Sequence, residues 1–273
     1  MSTIAVAAPA PETLVEQDVV RMPPPEVDPP PNVFVIPAFN EEANLPRLIA
    51  DLEARPQLFP PGSRVLIVDD GSDDGTADVV EAYAGDLPLE VIRLQTNQGP
   101  GAAFRAGFAA ALELCPDEAR VITMEADTTS DLDALPVMLE RAATGAELVL
   151  ASWVMLNVSR FRRLLSEGAG YFVRRGLGLE ATTVSSFFRV YHATVLKHGF
   201  RHFGDELISE PGFACKAEIL AKLSALGARV EEVPVALDTS RRIGKSKMPV
   251  VRTILAYWRM VVRQRATRNA FAP

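Results

Sequence analysis

Residues 64–76 read RVLIVDDGSDDGT, and the fold turns on how this stretch is read. Val65–Val68 is a short apolar run, the form a strand takes when both faces of its sheet are covered. It leads directly into two carboxylates, Asp69 and Asp70, and then a Gly-Ser-Asp-Asp-Gly turn. A helix is expected to begin near Asp74, where Asp and Thr are available for capping. Carboxylates at the carboxyl end of a parallel strand lie where open α/β sheets bind ligands. The same string can also do no more than solvate a tight turn, which is the less favoured reading. Its neighbours decide between the two.

Upstream, Val33–Ile36 is another apolar run, followed by a Pro37-Ala38-Phe39-Asn40-Glu41-Glu42 loop. The helix after it sets Leu45, Leu48, Ile49 and Leu52 at helical spacing. Downstream, the pattern predicts a helix over 77–84 and a strand over 89–94. A helix over 101–112 follows a Gly-Pro-Gly turn, then a strand over 120–124, a helix over 132–142 and a strand over 147–151. Alternation sustained this long implies an α/β fold, a mostly parallel sheet flanked by helices. Beyond Ala151 the rhythm weakens. Residues 164–177 read as a helix, 187–191 as a strand, 213–226 as an amphipathic helix and 229–236 as a strand.

Composition narrows the class. With 273 residues, 48% apolar and 23% charged, the chain can bury a substantial core. A net charge of −7 argues against nucleic acid as a partner. Cys115 and Cys215 supply neither a disulfide framework nor a metal cluster, and packing is the expected role of each. His192, His198 and His202 lack metal-ligand partners. Residues 1–31 are Pro-rich without apolar periodicity and are expected to form an extended tail. Neither a secretory leader nor a membrane-spanning run is legible, so a cytoplasmic protein is expected, at most peripheral on a membrane. Residues 241–273 carry nine Lys or Arg and no acidic residue. Within them Val250, Val251, Ile254, Leu255, Trp258, Val261 and Val262 share a helical face, opposite Arg252, Arg259 and Arg263. Such a basic amphipathic helix suits a membrane interface, or else packs its apolar face on the domain.

Three acidic clusters fall at predicted strand ends: Glu41 with Glu42, Asp69 with Asp70, and Glu125 with Asp127. Alternate residues of an extended segment point the same way, so Glu125 and Asp127 are candidates to face one ligand together. Adjacent carboxylates repel unless a cation lies between them, and oxygen ligands suit Mg²⁺ or Mn²⁺.

Four blocks, VFVIPAFNEE, VDDGSDDGT, NQGPGAAFRAGF and MEAD, taken in this order and spacing, resemble the inverting family 2 glycosyltransferases. Within them the chain is most similar to the dolichyl-phosphate mannose synthase and polyprenyl-phosphate glycosyltransferase group. The resemblance spans about residues 32–248. It implies a nucleotide-sugar-binding, Rossmann-like fold of the GT-A type over residues 32–240. The donor half is then 32–151, the acceptor half 152–240, and the basic segment 241–273 follows. It further implies that Pro37, Phe39 and Glu41 line a base and ribose pocket and that Asp70 contacts the base. Asp127 would ligate a metal on the diphosphate, with Glu125 at the first acidic position of that motif. Arg242 and Lys247 fall in a basic block that closes over phosphates and, with Asp127, would carry catalysis. The donor implied is a nucleoside diphosphate sugar, GDP-mannose or a UDP-hexose, and the acceptor a polyprenyl phosphate. A metal plus Arg and Lys is also what a departing nucleoside diphosphate requires chemically.

Departures from the family pattern gather on the acceptor side. Glu125 replaces an Asp and Thr129 a Gln. Ala151-Ser152-Trp153 stands where Gly-Ser-Arg is common, Thr183 replaces an Asp, and Phe187 a Gly. Arg162, Arg163 and Arg189 remain as candidate acceptor-phosphate contacts. A lipid phosphate is already anionic and needs no general base, whereas a hydroxyl acceptor does, and Asp205, Glu206 and Glu210 are the candidates. Two alternatives stay open: transfer to a hydroxyl, and a fold that binds nucleotide sugars without turnover.

Overall fold

Strand β1 (Asn32–Ala38) shows how the sheet is built. Val33 and Val35 point into one core, while Phe34, Ile36 and Ala38 point into another on the opposite face. β2 (Arg64–Asp69) repeats the division, with Leu66 and Val68 on one side and Val65 and Ile67 on the other. Side chains alternate with period two, and both faces are covered, so the sequence of each strand is a continuous apolar run. The computed structural model describes residues 28–154, 175–179, 181, 183–184, 186–236, 239–244 and 247–270.

The remaining strands are β3 (Leu89–Arg93), β4 (Arg120–Thr123), β5 (Leu148–Val154), β6 (Arg189–His192) and β7 (Val230–Ala236). They form one seven-stranded sheet in the order β3-β2-β1-β4-β6-β5-β7. β3, β2, β1 and β4 run parallel, β6 is antiparallel to both of its neighbours, and β5 pairs parallel with β7. The weakened rhythm after Ala151 therefore marks a strand that reverses direction within the same sheet.

Helices α1 (Leu45–Glu53), α2 (Thr76–Glu81) and α4 (Leu135–Ala143) cover the face that carries Phe34 and Ile36. On the other face lie α3 (Pro100–Leu114), α5 (Ala193–Phe203), α6 (Cys215–Ala225) and α7 (Val250–Ala270). The expected helix at 132–142 opens as a 3-10 turn over Leu132–Ala134, with Pro136 in the first turn of α4 proper. The segment read as amphipathic around 213–226 is not. α6 buries every residue from Cys215 to Ala221, and Leu223 as well, because it lies between the sheet and other helices.

α7 also departs from its expected pattern. Val261 joins Thr253 and Met260 in a narrow buried stripe, while Val251, Ile254, Leu255, Trp258 and Val262 remain exposed. No helix among the described residues is long and apolar enough to cross a membrane. Of the tail expected over 1–31 and the helix over 164–177, only residues 28–31 and 175–177 are described, the latter helical.

Candidate active site

A cleft opens where β1, β2 and β4 end, at the carboxyl edge of the sheet. Pro37, Phe39, Glu41, Asp70, Glu125, Asp127, Arg242 and Lys247 all line it, drawn from positions up to 210 residues apart in sequence. Open α/β sheets place ligands at such an edge because consecutive loops diverge there and leave a crevice.

The two carboxylates of the RVLIVDD stretch separate. Asp69 accepts hydrogen bonds from the Ser72 backbone N–H at 3.0 Å and the Ser72 hydroxyl at 2.5 Å, so it builds its own turn. Asp70 faces the cleft and accepts from the backbone N–H groups of Gln98 at 2.9 Å and Gly99 at 2.7 Å. Burial raises the Asp70 carboxyl above its ordinary value, with the two N–H groups opposing that shift. Gly99, at φ +90°, and Gly101 let the loop at Glu210–Pro211 approach closely, and the Gly101 N–H donates to the Pro211 carbonyl at 2.8 Å. A Cβ at Gly101 would collide with the Glu210 carbonyl. This contact joins the second half of the chain to the first at the cleft wall.

The basic block folds back over β1 and α1. Lys247 donates to Glu41 Oε1 at 2.6 Å and to the carbonyls of Phe39 at 2.6 Å and Asn40 at 2.5 Å. Glu41 Oε2 in turn accepts from Asn44, whose side chain also exchanges two hydrogen bonds with the Ile243 backbone. Arg242 Nε donates to Asp127 Oδ2 at 2.6 Å, and its Nη2 pairs with the same oxygen. The other oxygen of Asp127 accepts from the Thr129 backbone N–H and hydroxyl. Between these two residues Thr128 adopts φ 63°, a left-handed conformation that is strained for a β-branched side chain. Its hydroxyl donates to the Arg241 carbonyl at 3.1 Å.

Glu125 and Asp127 do not present a matched pair. Glu125 lies deeper and accepts from the Ser130 hydroxyl at 2.5 Å and weakly from the Phe187 N–H at 3.4 Å. Burial pushes its carboxyl up, toward the neutral form that a metal ligand must leave. Asp127, partnered with Arg242 at the cleft wall, is the better oxygen ligand of the two. No group of three or more His, Cys, Asp or Glu able to hold a metal exists among the described residues. One cleft carboxylate nevertheless fits Mg²⁺ or Mn²⁺, which often bind through one or two carboxylates plus substrate phosphates and water.

The acceptor-side expectations fare differently. Arg189 is not a cleft residue. It is 1% exposed and donates to the carbonyls of Ser186, Val184 and Lys216 and to the Tyr191 hydroxyl, so the core consumes its donors. Arg162 and Arg163 lie outside the described residues. Asp205, Glu206 and Glu210 are absent from the cleft lining. The first two are exposed on a 3-10 turn, and Glu210 pairs with Arg263 at 3.8 Å.

Trp153, Phe187, Phe213, Lys216 and Arg252 also line the cleft. Of these, Lys216 went unread in the sequence, although it is the one charge inside the apolar run GFACKA. Burial lowers its ammonium to about 8 and raises the neighbouring Cys215 thiol to about 12, which makes that cysteine inert.

Residues 33–200 match the family described as Glycosyl transferase family 2. Undecaprenyl-phosphate mannosyltransferase of Micrococcus luteus is 32% identical over 220 residues, covering 78% of this chain and 86% of that protein. An undecaprenyl-phosphate 4-deoxy-4-formamido-L-arabinose transferase of Pseudomonas fluorescens is 32% identical over 60% of this chain, which spans 47% of that longer protein. Among solved structures, glucosyl-3-phosphoglycerate synthase from Mycobacterium tuberculosis, in complex with Mn²⁺, UDP and glucosyl-3-phosphoglycerate, superposes with TM-score 0.60 at 18% identity. That match covers 89% of this chain and 81% of the other, and at such identity it speaks for the fold alone.

Proposed function

The chain belongs to glycosyl transferase family 2, and from that premise we propose that it moves a hexose from a nucleoside diphosphate sugar to a polyprenyl phosphate. The observation that carries the acceptor is the state of the cleft carboxylates. Glu41 is tied to Lys247 and Asn44, Asp70 to two backbone N–H groups, Asp127 to Arg242 and Thr129, and Glu125 to Ser130. Every described carboxylate lining the cleft already has a partner within the protein, so none is set aside as a dedicated base for a hydroxyl. A phosphate acceptor needs none. The similarity to undecaprenyl-phosphate mannosyltransferase over most of both chains supports the same choice.

In this reading Pro37 and Phe39 flank the base, and Asp70 accepts a hydrogen bond from its edge while fixing the Gln98–Gly99 backbone beside it. Asp127 would hold a Mg²⁺ or Mn²⁺ ion, whose charge would offset that of the diphosphate. Arg242 lends its guanidinium to the phosphates that leave, while Lys247, whose three donors are held by Phe39, Asn40 and Glu41, adds its positive charge at the cleft wall. An oxygen of the acceptor phosphate forms a bond to the anomeric carbon from the opposite side. The bond from that carbon to the diphosphate breaks, and its electron pair departs with the nucleoside diphosphate. The anomeric configuration inverts and no proton changes hands.

Val251, Ile254, Leu255, Trp258 and Val262 form an exposed row interspersed with Arg252, Arg259 and Arg263, and in this reading the row meets an anionic membrane surface. Pro249 and Arg252 belong both to the cleft wall and to the groove along this helix, so a lipid-borne phosphate arrives at the cleft mouth. The test is transfer of labelled sugar to a short-chain polyprenyl phosphate in the presence of Mn²⁺ or Mg²⁺. Transfer to a free hydroxyl acceptor, with none to the phosphate, contradicts the reading.

A further inference from the structure

Lys216 is 5% exposed, yet its Nζ donates no hydrogen bond and makes no ion pair with any described residue. It lies 4.0 Å from the centroid of the Phe187 ring and 5.6 Å from that of Phe213. Glu125 is the carboxylate nearest in electrostatic terms, but its oxygens accept from Ser130 and Phe187 instead. A buried ammonium without an acceptor is costly, and contact with aromatic faces offsets only a part of that cost. The group is nonetheless open to the cleft, whose wall it shares with Phe187, Phe213 and Trp153.

The sheet order assigns this corner a place in the reaction. β2 and β1 carry the residues read as the base pocket, β4 leads to Asp127, and β6 and β5 lead to Phe187 and Trp153. Moving across the cleft one meets base, diphosphate, and then the space beyond the sugar. Arg242, Lys247 and Arg252 supply cations from the C-terminal segment. Lys216 supplies one from α6, in the second half of the chain.

We propose that Lys216 anchors the phosphate of the acceptor, as the cation that makes this largely apolar corner of the wall select a phosphate monoester over an alcohol. The inference rests on the phosphate-acceptor reading above and adds the residue responsible for it. An ammonium on a flexible stem binds phosphate as a point charge and tolerates the range of orientations a lipid headgroup adopts. The flanking aromatic rings exclude water and strengthen the pairing once the phosphate enters.

The experiment is calorimetric binding of farnesyl phosphate to the full chain and to Lys216→Met and Lys216→Arg, with farnesol and glycerol 3-phosphate as comparison ligands. The uncharged methionine suits the apolar surroundings, and an unchanged melting temperature confirms that it folds. Lys216→Met is expected to weaken farnesyl phosphate binding about ten-fold or more, with Lys216→Arg restoring part of it. UDP and GDP binding with Mn²⁺ should stay within about two-fold of the parent chain. Glycerol 3-phosphate binding that tracks farnesyl phosphate identifies the phosphate itself as the ligand. Loss confined to farnesyl phosphate also supports the anchor and adds a requirement for the lipid. Equal binding of farnesyl phosphate by parent and Lys216→Met overturns the inference and leaves the proposed function standing. A parallel loss of nucleotide binding overturns it too, placing Lys216 on the donor. A parent chain that binds neither phosphate overturns the proposed function together with the inference.

Discussion

In this structure Arg242 occupies Asp127, the carboxylate proposed to hold the metal, and replacing that arginine has two effects of opposite sign. Its guanidinium makes a 2.6 Å hydrogen bond to Asp127 Oδ2, and the two side chains are 23% and 13% exposed. A hydrogen bond between charged groups contributes about 1.5–3 kcal/mol when buried. Discounted for the exposure of the arginine, about 1–2 kcal/mol is reasonable here. A cation entering at Asp127 must displace that contact. Arg242→Met is therefore expected to tighten Mn²⁺ binding to the donor-free protein by about 5–30-fold. Turnover should move the other way and fall about 100-fold or more, because a donor aimed at the departing diphosphate is lost. Mn²⁺ affinity is read by calorimetry or by electron paramagnetic resonance of the free ion, and turnover by nucleotide release. Asp127→Asn, which removes the charged oxygen ligand, should abolish Mn²⁺ binding and serves as the control. Unchanged or weaker Mn²⁺ binding in Arg242→Met refutes the competition at Asp127.

Three further outcomes follow from the geometry. Gly101→Ala drives a methyl into the Glu210 carbonyl and strains the Gly101–Pro211 hydrogen bond, and it should cost about 2–4 kcal/mol in urea unfolding. Asp70 has a native value raised above 3.8 by burial, so the folded protein holds its proton to higher pH than the unfolded chain. Stability from this group is then present below the unfolded value and falls as pH rises through the interval up to the native one. Asp70→Asn lacks that fall, so its destabilisation should be larger at pH 4 than at pH 7, and growth with pH would refute the assignment. Leu255→Ser with Trp258→Ser on the exposed row of α7 should abolish binding to anionic vesicles in co-sedimentation while changing stability by less than about 1 kcal/mol. Unfolding of that variant would instead mean that the row packs against the protein.

The donor half was legible because its signals are local. An apolar run, a pair of carboxylates and a glycine turn lie within 13 residues at Arg64–Thr76, and the strand ends they mark converge by topology alone. What remained hidden depends on packing between distant segments. Sequence alone leaves Arg189 a candidate phosphate contact, but α6 brings the Lys216 carbonyl to its guanidinium and makes it a core residue. Lys216 was passed over because periodicity describes which face of a helix is apolar, and α6 is buried almost all round. The left-handed turn at Thr128 is illegible because threonine is the wrong residue to announce it. The reversed strand β6 left only a broken rhythm, since strand direction is set by connections and not by composition.

Transfer of a sugar from a nucleoside diphosphate to a lipid phosphate is open to direct assay. Its most direct measurement is nucleotide release with Mn²⁺ or Mg²⁺ from GDP-mannose, UDP-glucose and UDP-N-acetylglucosamine, each with and without a short-chain polyprenyl phosphate. Release is expected from one of these donors and requires both the cation and the lipid phosphate, with the label appearing in the lipid. Release that ignores the lipid phosphate, or that responds equally to the corresponding polyprenol, contradicts this expectation.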